Sequence, residues 1–264
     1  MKPAAFEYER PGSVDEAVAV LAQAGAEAKV LAGGQSLVPA LNMRLLRPSL
    51  VVDVNRVAGL DAVASEDGAL RVGATVRQAD TRLRAHEVLA AVLPHVGHTA
   101  TRNRGTVGGS IAHADAAGEL PLALVALGGS AIVASARGSR EIPAEELFVG
   151  PFSTALTQDE LLVETVWPAL APGSGFAFDE LALRGGDYAL CSAAALVRDG
   201  DVRVVVGSVT PTPTVLEIDP SHPGDSASAQ VEPWGSIHAS PDYLRHLVRV
   251  LVDRVVARAR SEVA

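Results

Sequence analysis

The sequence predicts an α+β protein: two mixed blocks of short strands and helices, then a smaller C-terminal sheet of three strands packed with one long helix. Three observations predict it. Apolar runs of strand length alternate with helically spaced segments as far as Pro168. A Pro/Gly/Ser stretch, Ala171 to Gly175, then marks a change of composition. Beyond it lie three strand-like runs and a closing amphipathic segment, with no helix between the runs.

Taken in order, Ser13 and Glu16 form a capping box that opens a helix through Leu21 and stops near Gly25. Ala28 to Leu31 is a short strand. It ends at a glycine turn, Leu31 to Leu37, that contains Gly33, Gly34 and Ser36. Ser36 is placed to cap a helix from Leu37 to Leu46, which tolerates Pro39 in its first turn. Leu50 to Val54 is a strand, so the glycine turn lies in a strand–turn–helix–strand unit. In the second block, Ala69 to Gly73 is a strand, and Thr75 with Gln78 reads as a second capping box opening a helix. His86 to Gly97 reads as a helix interrupted by Pro94. A second glycine turn runs from Gly105 to Ile111 and contains Gly108, Gly109 and Ser110. Ala117 to Leu127 is helical, and Ser130 to Ala136 and Glu160 to Trp167 are strands. In the last part, Phe176 to Leu183, Ala189 to Arg198 and Val202 to Val209 are strands, the latter two joined by a tight turn at Asp199 and Gly200. Pro211 to Ala239 reads as irregular. Ser240 caps a final helix to about Ala259 that puts Leu244, Leu247, Val248, Leu251 and Val255 on one face.

Bulk properties exclude several functions. A net charge of −9 argues against nucleic acid and against an anionic membrane surface as the main partner. The first ten residues lack the apolar core of a signal peptide, and no apolar run approaches a membrane span, so the expected location is cytoplasmic. The single cysteine, Cys191, permits no internal disulfide and no iron–sulfur cluster held by four cysteines of this chain. His95 and His98 have helical ligand spacing, but no third ligand completes a metal set, and they read as exposed helix residues.

The two glycine turns carry the functional signal. Glycines let backbone approach a ligand, and successive N–H groups in such turns point at anions. Two turns in one chain suit a ligand with two phosphates. Taken alone, the first reads equally well as an ordinary tight strand-to-helix connection with no ligand. Neither a G-x-G-x-x-G fingerprint nor a Gly-Lys-Ser/Thr phosphate loop is present. Arg102 and Arg104 are either phosphate partners or solvated loop charges, the latter preferred. Ser110, His113 and Asp115 make a triad on paper. Asp115 and Glu119 fit helix capping or ribose hydroxyls better. Tyr188, before a strand, is a rim or core aromatic unless a planar ring lies beside it.

These residues resemble the FAD-binding medium subunit of the molybdenum hydroxylases, the carbon monoxide dehydrogenase and xanthine dehydrogenase group. The resemblance rests on Ala32 to Ser36, Arg102 to Ser110 running into Asp115, Glu119 to Pro121, Glu160 to Leu162, Arg184 to Tyr188 and Ile237 to Ser240, in that order. It implies a two-part FAD-binding domain of the vanillyl-alcohol-oxidase (PCMH) type over residues 1–170, with parts at about 1–57 and 58–170. A small C-terminal domain over 171–264 follows. It implies that Val30, Leu31, Ala32, Gly33, Gly34, Gln35, Ser36 and Leu37, with Thr106, Val107, Gly108, Gly109 and Ser110, wrap the FAD pyrophosphate. Glu119 then lies near the adenosine half, Leu162 against the flavin nucleotide and Tyr188 close to the isoalloxazine ring. No catalytic acid or base and no metal ligand is expected on this chain. The molybdenum cofactor and iron–sulfur clusters are expected on a large and a small partner subunit, from which electrons reach FAD and then an external acceptor. A nucleotide-binding interaction module without redox activity and a stand-alone FAD oxidoreductase are the alternatives. Three departures stand out: Gln35 where many members have His, Glu180 where several have Lys, and a 214–235 segment without the usual alanine-rich helix pattern.

Overall fold

The computed structural model describes residues 2–263. Its first unit is a small parallel sheet. Strand β1 (Glu7–Glu9) leads through α1 (Val14–Ala24) to β2 (Ala28–Leu31), and α2 (Leu37–Asn42) leads to β3 (Leu50–Asp53). The strand order is β1-β3-β2, with Leu31 opposite Asp53. Ser13 caps α1 as expected, its Oγ accepting from the Glu16 N–H at 3.2 Å. The return bond reaches one residue further back, from the Gly12 N–H to Glu16 Oε2 at 2.7 Å. Ala17, Val18 and Leu21 bury the inner face of α1 against this sheet and the next. Helix α2 ends at Asn42, short of the expected Leu46, where Arg44 takes a left-handed φ of 58°.

The second unit is antiparallel. It comprises β4 (Val63–Glu66), β5 (Ala69–Gly73), the short helices α3 (Glu87–Val92), α4 (Thr99–Arg104) and α5 (Val107–His113), and α6 (Glu119–Leu127). It continues through β6 (Ser130–Ser135), β7 (Gly138–Pro143), α7 (Ala144–Leu147), the small pair β8 (Phe148–Gly150) and β9 (Ser153–Thr154), and β10 (Leu161–Pro168). Its sheet order is β4-β5-β10-β6-β7. Helix α6 is apolar all round and buried from Glu119 to Ala126, as a helix enclosed on every side must be. It packs against β10 on one side and the last sheet on the other.

Three expectations fail here. The helix expected over His86 to Gly97 covers only Glu87–Val92, and His95 lies half-buried in the turn beyond it rather than on an exposed helix face. Thr75 and Gln78 open no helix. The Thr75 N–H bonds Leu60 O and the Gln78 N–H bonds Gly105 O, so residues 75–78 form an irregular strap between two turns, and Arg77 bridges Thr106. The second glycine turn is in fact the start of α5. Thr106 caps it, its Oγ1 accepting from the Gly109 N–H at 3.0 Å. Two glycines lower helix propensity and hid the helix in the sequence; the cap and burial of Val107 and Ile111 restore it.

The third unit has the three expected strands, β11 (Gly175–Ala182), β12 (Ala189–Arg198) and β13 (Asp201–Gly207), plus a short fourth, β14 (Thr214–Leu216), in consecutive antiparallel order. Positive φ at Asp199 and Gly200 suits the tight β12–β13 turn. Strand β14 and helix α8 (Pro223–Ser228) fall in the stretch read as irregular. The closing helix α9 (Pro241–Glu262) is capped by Ser240 and buries the predicted stripe, joined by Val252, Val256 and Ala259. Cys191, Ala193 and Ala195 of β12 face α9, while Ala194 and Phe178 join the core of the second unit. Among the described residues no helix is long and apolar enough to cross a membrane.

Candidate functional site

Strands β2 and β3 run parallel, so their C-terminal ends reach the same edge of the small sheet. In sheets of this kind that edge is where ligands sit. The loop 32–36 leaves β2 there, and the N-terminus of α5 meets it. The two cross at Gly33: a Cβ on that residue would lie 2.5 Å from Arg104 O and 2.9 Å from Gly105 Cα, so only glycine fits. Gly34 takes φ +74° and turns the chain into α2. Among the described residues, the backbone N–H groups of Gly33, Gly34, Gln35, Ser36, Leu37 and Gly108 have no hydrogen-bond partner within the chain. They supply donors for an anion.

The loops open into a cleft of about 1010 Å³, the upper end of the usual ligand-site range. Val30, Ala32, Gly33, Gly34, Gln35, Ser36, Leu37, Thr106, Gly108, Gly109, Ser110, Glu119, Leu162 and Tyr188 all line it. The exceptions among the expected residues are Leu31, which stands behind the first loop, and Val107, whose side chain is buried in the core. Gly108 lines the cleft through its backbone only. A Cβ there would strike Ala74 Cα at 2.5 Å, so this glycine is required by helix packing as well as by the cleft.

Of the arginines of the second motif, Arg102 holds structure and Arg104 is exposed. Arg102 Nη1 donates to Val96 O and Gly97 O, both at 2.9 Å, and neither Arg102 nor Arg104 lines the cleft. Ser110 and His113 make no hydrogen bond to each other among the described residues, and the Asp115 carboxylate accepts from Ala117 N–H at 3.0 Å. The triad therefore has no geometry, and Asp115 acts as a turn cap. No group of three or more potential metal ligands occurs among the described residues. His95 is half-buried, with Nδ1 at 3.2 Å from Glu180 Oε1, which holds its pKa above the ordinary value. Glu180 itself does not line the cleft, and its Oε2 is buried without a partner among the described residues.

Four acids line the cleft, Asp115, Glu119, Glu160 and Asp187, against one lysine, Lys29. Burial pushes the Glu119 carboxyl up to about 7. Glu160 is held down at about 2 by Arg140, which donates to its two oxygens at 2.7 and 2.8 Å. Tyr188 is 61% exposed, with its ring open to the cleft. Desolvation, and then the charges of Asp115 and Glu119, push its hydroxyl up to about 12.

Sequence reasoning missed several groups here. Phe152, exposed with φ +54°, lies against His113 at 5.1 Å between ring centroids, and both line the cleft. Behind the loops, Asn55 Nδ2 donates to Ala32 O at 2.8 Å. Arg77 donates from Nη2 to Asn55 Oδ1 at 2.7 Å and from Nη1 to Arg104 O. Asp53 anchors Asn55 and in turn accepts from Tyr8 and pairs with Arg10. No local pattern marks Asn55 or Arg77; only the crossing of the loops brings them together.

Known proteins fit this geometry. The sequence model of the FAD binding domain in molybdopterin dehydrogenase matches residues 4–170. The 6-hydroxypseudooxynicotine dehydrogenase complex subunit alpha of Paenarthrobacter nicotinovorans is 38% identical, over 98% of this chain and 96% of its own. The carbon monoxide dehydrogenase medium chain of Hydrogenophaga pseudoflava is 32% identical over the full length of both. Among solved structures, carbon monoxide dehydrogenase from Hydrogenophaga pseudoflava superposes over all of both chains with a TM-score of 0.95 at 31% identity. Quinoline 2-oxidoreductase from Pseudomonas putida 86 superposes with a TM-score of 0.91 at 36% identity, over 100% of this chain and 99% of that one. With matches of that extent, and a cleft whose backbone donors suit a dinucleotide, the chain belongs to the FAD-binding medium subunits of the molybdenum hydroxylases, oxidoreductase components of multi-subunit dehydrogenases.

Proposed function

We propose that this chain binds one non-covalent FAD in the cleft and relays electrons from iron–sulfur clusters of a small partner subunit to an external acceptor. A large partner subunit would carry the molybdenum cofactor and oxidise the substrate, in a cytoplasmic heterotrimer. Bound FAD supplies the electron-transfer chemistry, and the protein supplies position and environment. The observation that carries this reading is the pair of crossed loops. Among the described residues, the unpaired N–H groups of residues 33–37 and of Gly108 belong to residues that line one cleft, where a pyrophosphate would be held chiefly by backbone, Lys29 being the one basic side chain in that lining. Gln35 and Ser36, with Thr106 and Ser110, add polar side chains around it. Leu162 and the open face of Tyr188 offer apolar surface to the flavin, and Glu119 offers a carboxyl to a ribose hydroxyl.

In this reading residues 1–170 form the FAD domain and 171–264 a C-terminal domain that brings Tyr188 to the cleft. The one cysteine is buried in β12, so any cluster of four cysteines must lie on a partner. The test is flavin content. The purified chain or complex should carry about one FAD, released into the supernatant by acid precipitation. A folded, colourless protein that ignores added FAD refutes the reading.

A further inference from the structure

The geometry points to Asn55 and Arg77 as positioning residues that set the spacing of the two loops at the pyrophosphate. The inference rests on the FAD reading of the cleft. Neither side chain lines the cleft, yet together they join the loops' backbones. Asn55 Nδ2 holds Ala32 O, at the start of the first loop, at 2.8 Å. Arg77 Nη2 holds Asn55 Oδ1 at 2.7 Å, and its Nη1 holds Arg104 O, just before the second loop. The same Arg104 O is the atom against which Gly33 packs. A single chain of three hydrogen bonds therefore runs from one loop to the other through the point where they cross. Asn55 is itself held by Asp53, whose Oδ1 accepts from its backbone N–H at 2.9 Å and from its side-chain Nδ2 at 2.6 Å.

The consequence for binding follows from geometry. The free N–H groups lie on both loops, and an anion gains from all of them only if the loops stay at one separation. Charge-assisted bonds to a planar guanidinium fix such a distance better than a flexible ammonium does. Arg77 thus acts through the backbones it holds, and its loss should be felt by the pyrophosphate and not by the flavin ring.

The test uses the full chain freed of FAD. FAD binding is followed by flavin fluorescence, ADP binding by competition, and the melting temperature of the FAD-free chain by circular dichroism. Arg77→Met and Asn55→Ala should each raise the FAD Kd at least about tenfold, the worth of one charge-assisted bond. ADP, which carries the pyrophosphate without the flavin, should weaken by the same factor. The double variant should be no worse than the worse single one, since both cut one link. Arg77→Lys should recover part of the affinity. An FAD Kd within twofold of wild type in both single variants overturns the proposal, and so does a loss confined to FAD with ADP unchanged. Should Arg77→Met fail to fold, Arg77→Lys decides: wild-type affinity for FAD and ADP there overturns the proposal, because a lysine cannot hold both acceptors at one fixed separation. A wild-type chain that binds no FAD would instead refute the cofactor reading.

Discussion

Glu119 is 5% exposed, at the first position of α6, and among the described residues no basic side chain bonds it. Burial is the main cause that raises its carboxyl from 4.5 to about 7, with the nearby charge of Glu180 adding to it and His95 opposing. A carboxyl raised by folding is neutral in both states at low pH, so its contribution is fully present below about pH 4.5. That contribution is lost as pH rises through 7, because the unfolded chain ionises first. Holding the carboxyl at about 7 rather than 4.5 makes ionisation of Glu119 cost on the order of 3 kcal/mol at pH 8. Glu119→Gln keeps the shape and removes the charge. The FAD-free variant should therefore be more stable than wild type by about 3 kcal/mol at pH 8, or roughly 6–10 °C in melting temperature for a chain of this size. At pH 5 the gain should shrink to about 1 kcal/mol. Thermal melts of both proteins from pH 5 to 8 measure it. An equal gain at both ends, or no gain at pH 8, refutes the assignment of a buried, mostly neutral carboxyl.

Two further outcomes follow from packing. Gly108→Ala should lower the melting temperature of the FAD-free chain by several degrees, because its Cβ would meet Ala74 Cα at 2.5 Å and overpacking costs about 1–3 kcal/mol; loss of FAD with no change in melting would contradict this packing. Cys191 is fully buried, which pushes its thiol up to about 12, so a thiol reagent such as DTNB should label it only in denaturant. Labelling of the native chain at the rate of a free thiol would show that β12 is not packed under α9.

Much of this was legible in the sequence where local signals act alone. The caps at Ser13 and Ser240 and the strands of the last sheet declare themselves through side chains close in sequence. So do the cleft-lining glycines. The strap at 75–78 was not legible, because Thr75 and Gln78 carry a capping pattern that is overridden by backbone bonds to Leu60 and Gly105. Helix α5 was hidden by Gly108 and Gly109, whose low propensity is offset only by the Thr106 cap and by burial between sheet and α6. Strand β14 is three residues long and gains its place from pairing with β13. The Asn55–Arg77 link joins residues 22 apart in sequence to loops on either side of them, and no periodicity records that.

An acidic cleft that receives an anionic dinucleotide sets a last constraint. Among the described residues Asp115, Glu119, Glu160 and Asp187 line it against one lysine, Lys29, so attraction must come chiefly from backbone donors, and muting any of these acids favours binding. Arg140 pairs with Glu160 and cancels its charge. Asp115 is tied into the turn before α6. Glu119 has no such partner and is muted by protonation, which fails as pH passes about 7. An anion bound in the cleft raises the carboxyl's pKa further, so binding above pH 7 takes up a proton, and FAD affinity must fall as pH rises from 7 to 9. In Glu119→Gln the decline should be largely abolished. FAD titrations of both proteins across that range measure it. The same decline in the variant would show that the proton lies elsewhere and that Glu119 is already paired when FAD is bound.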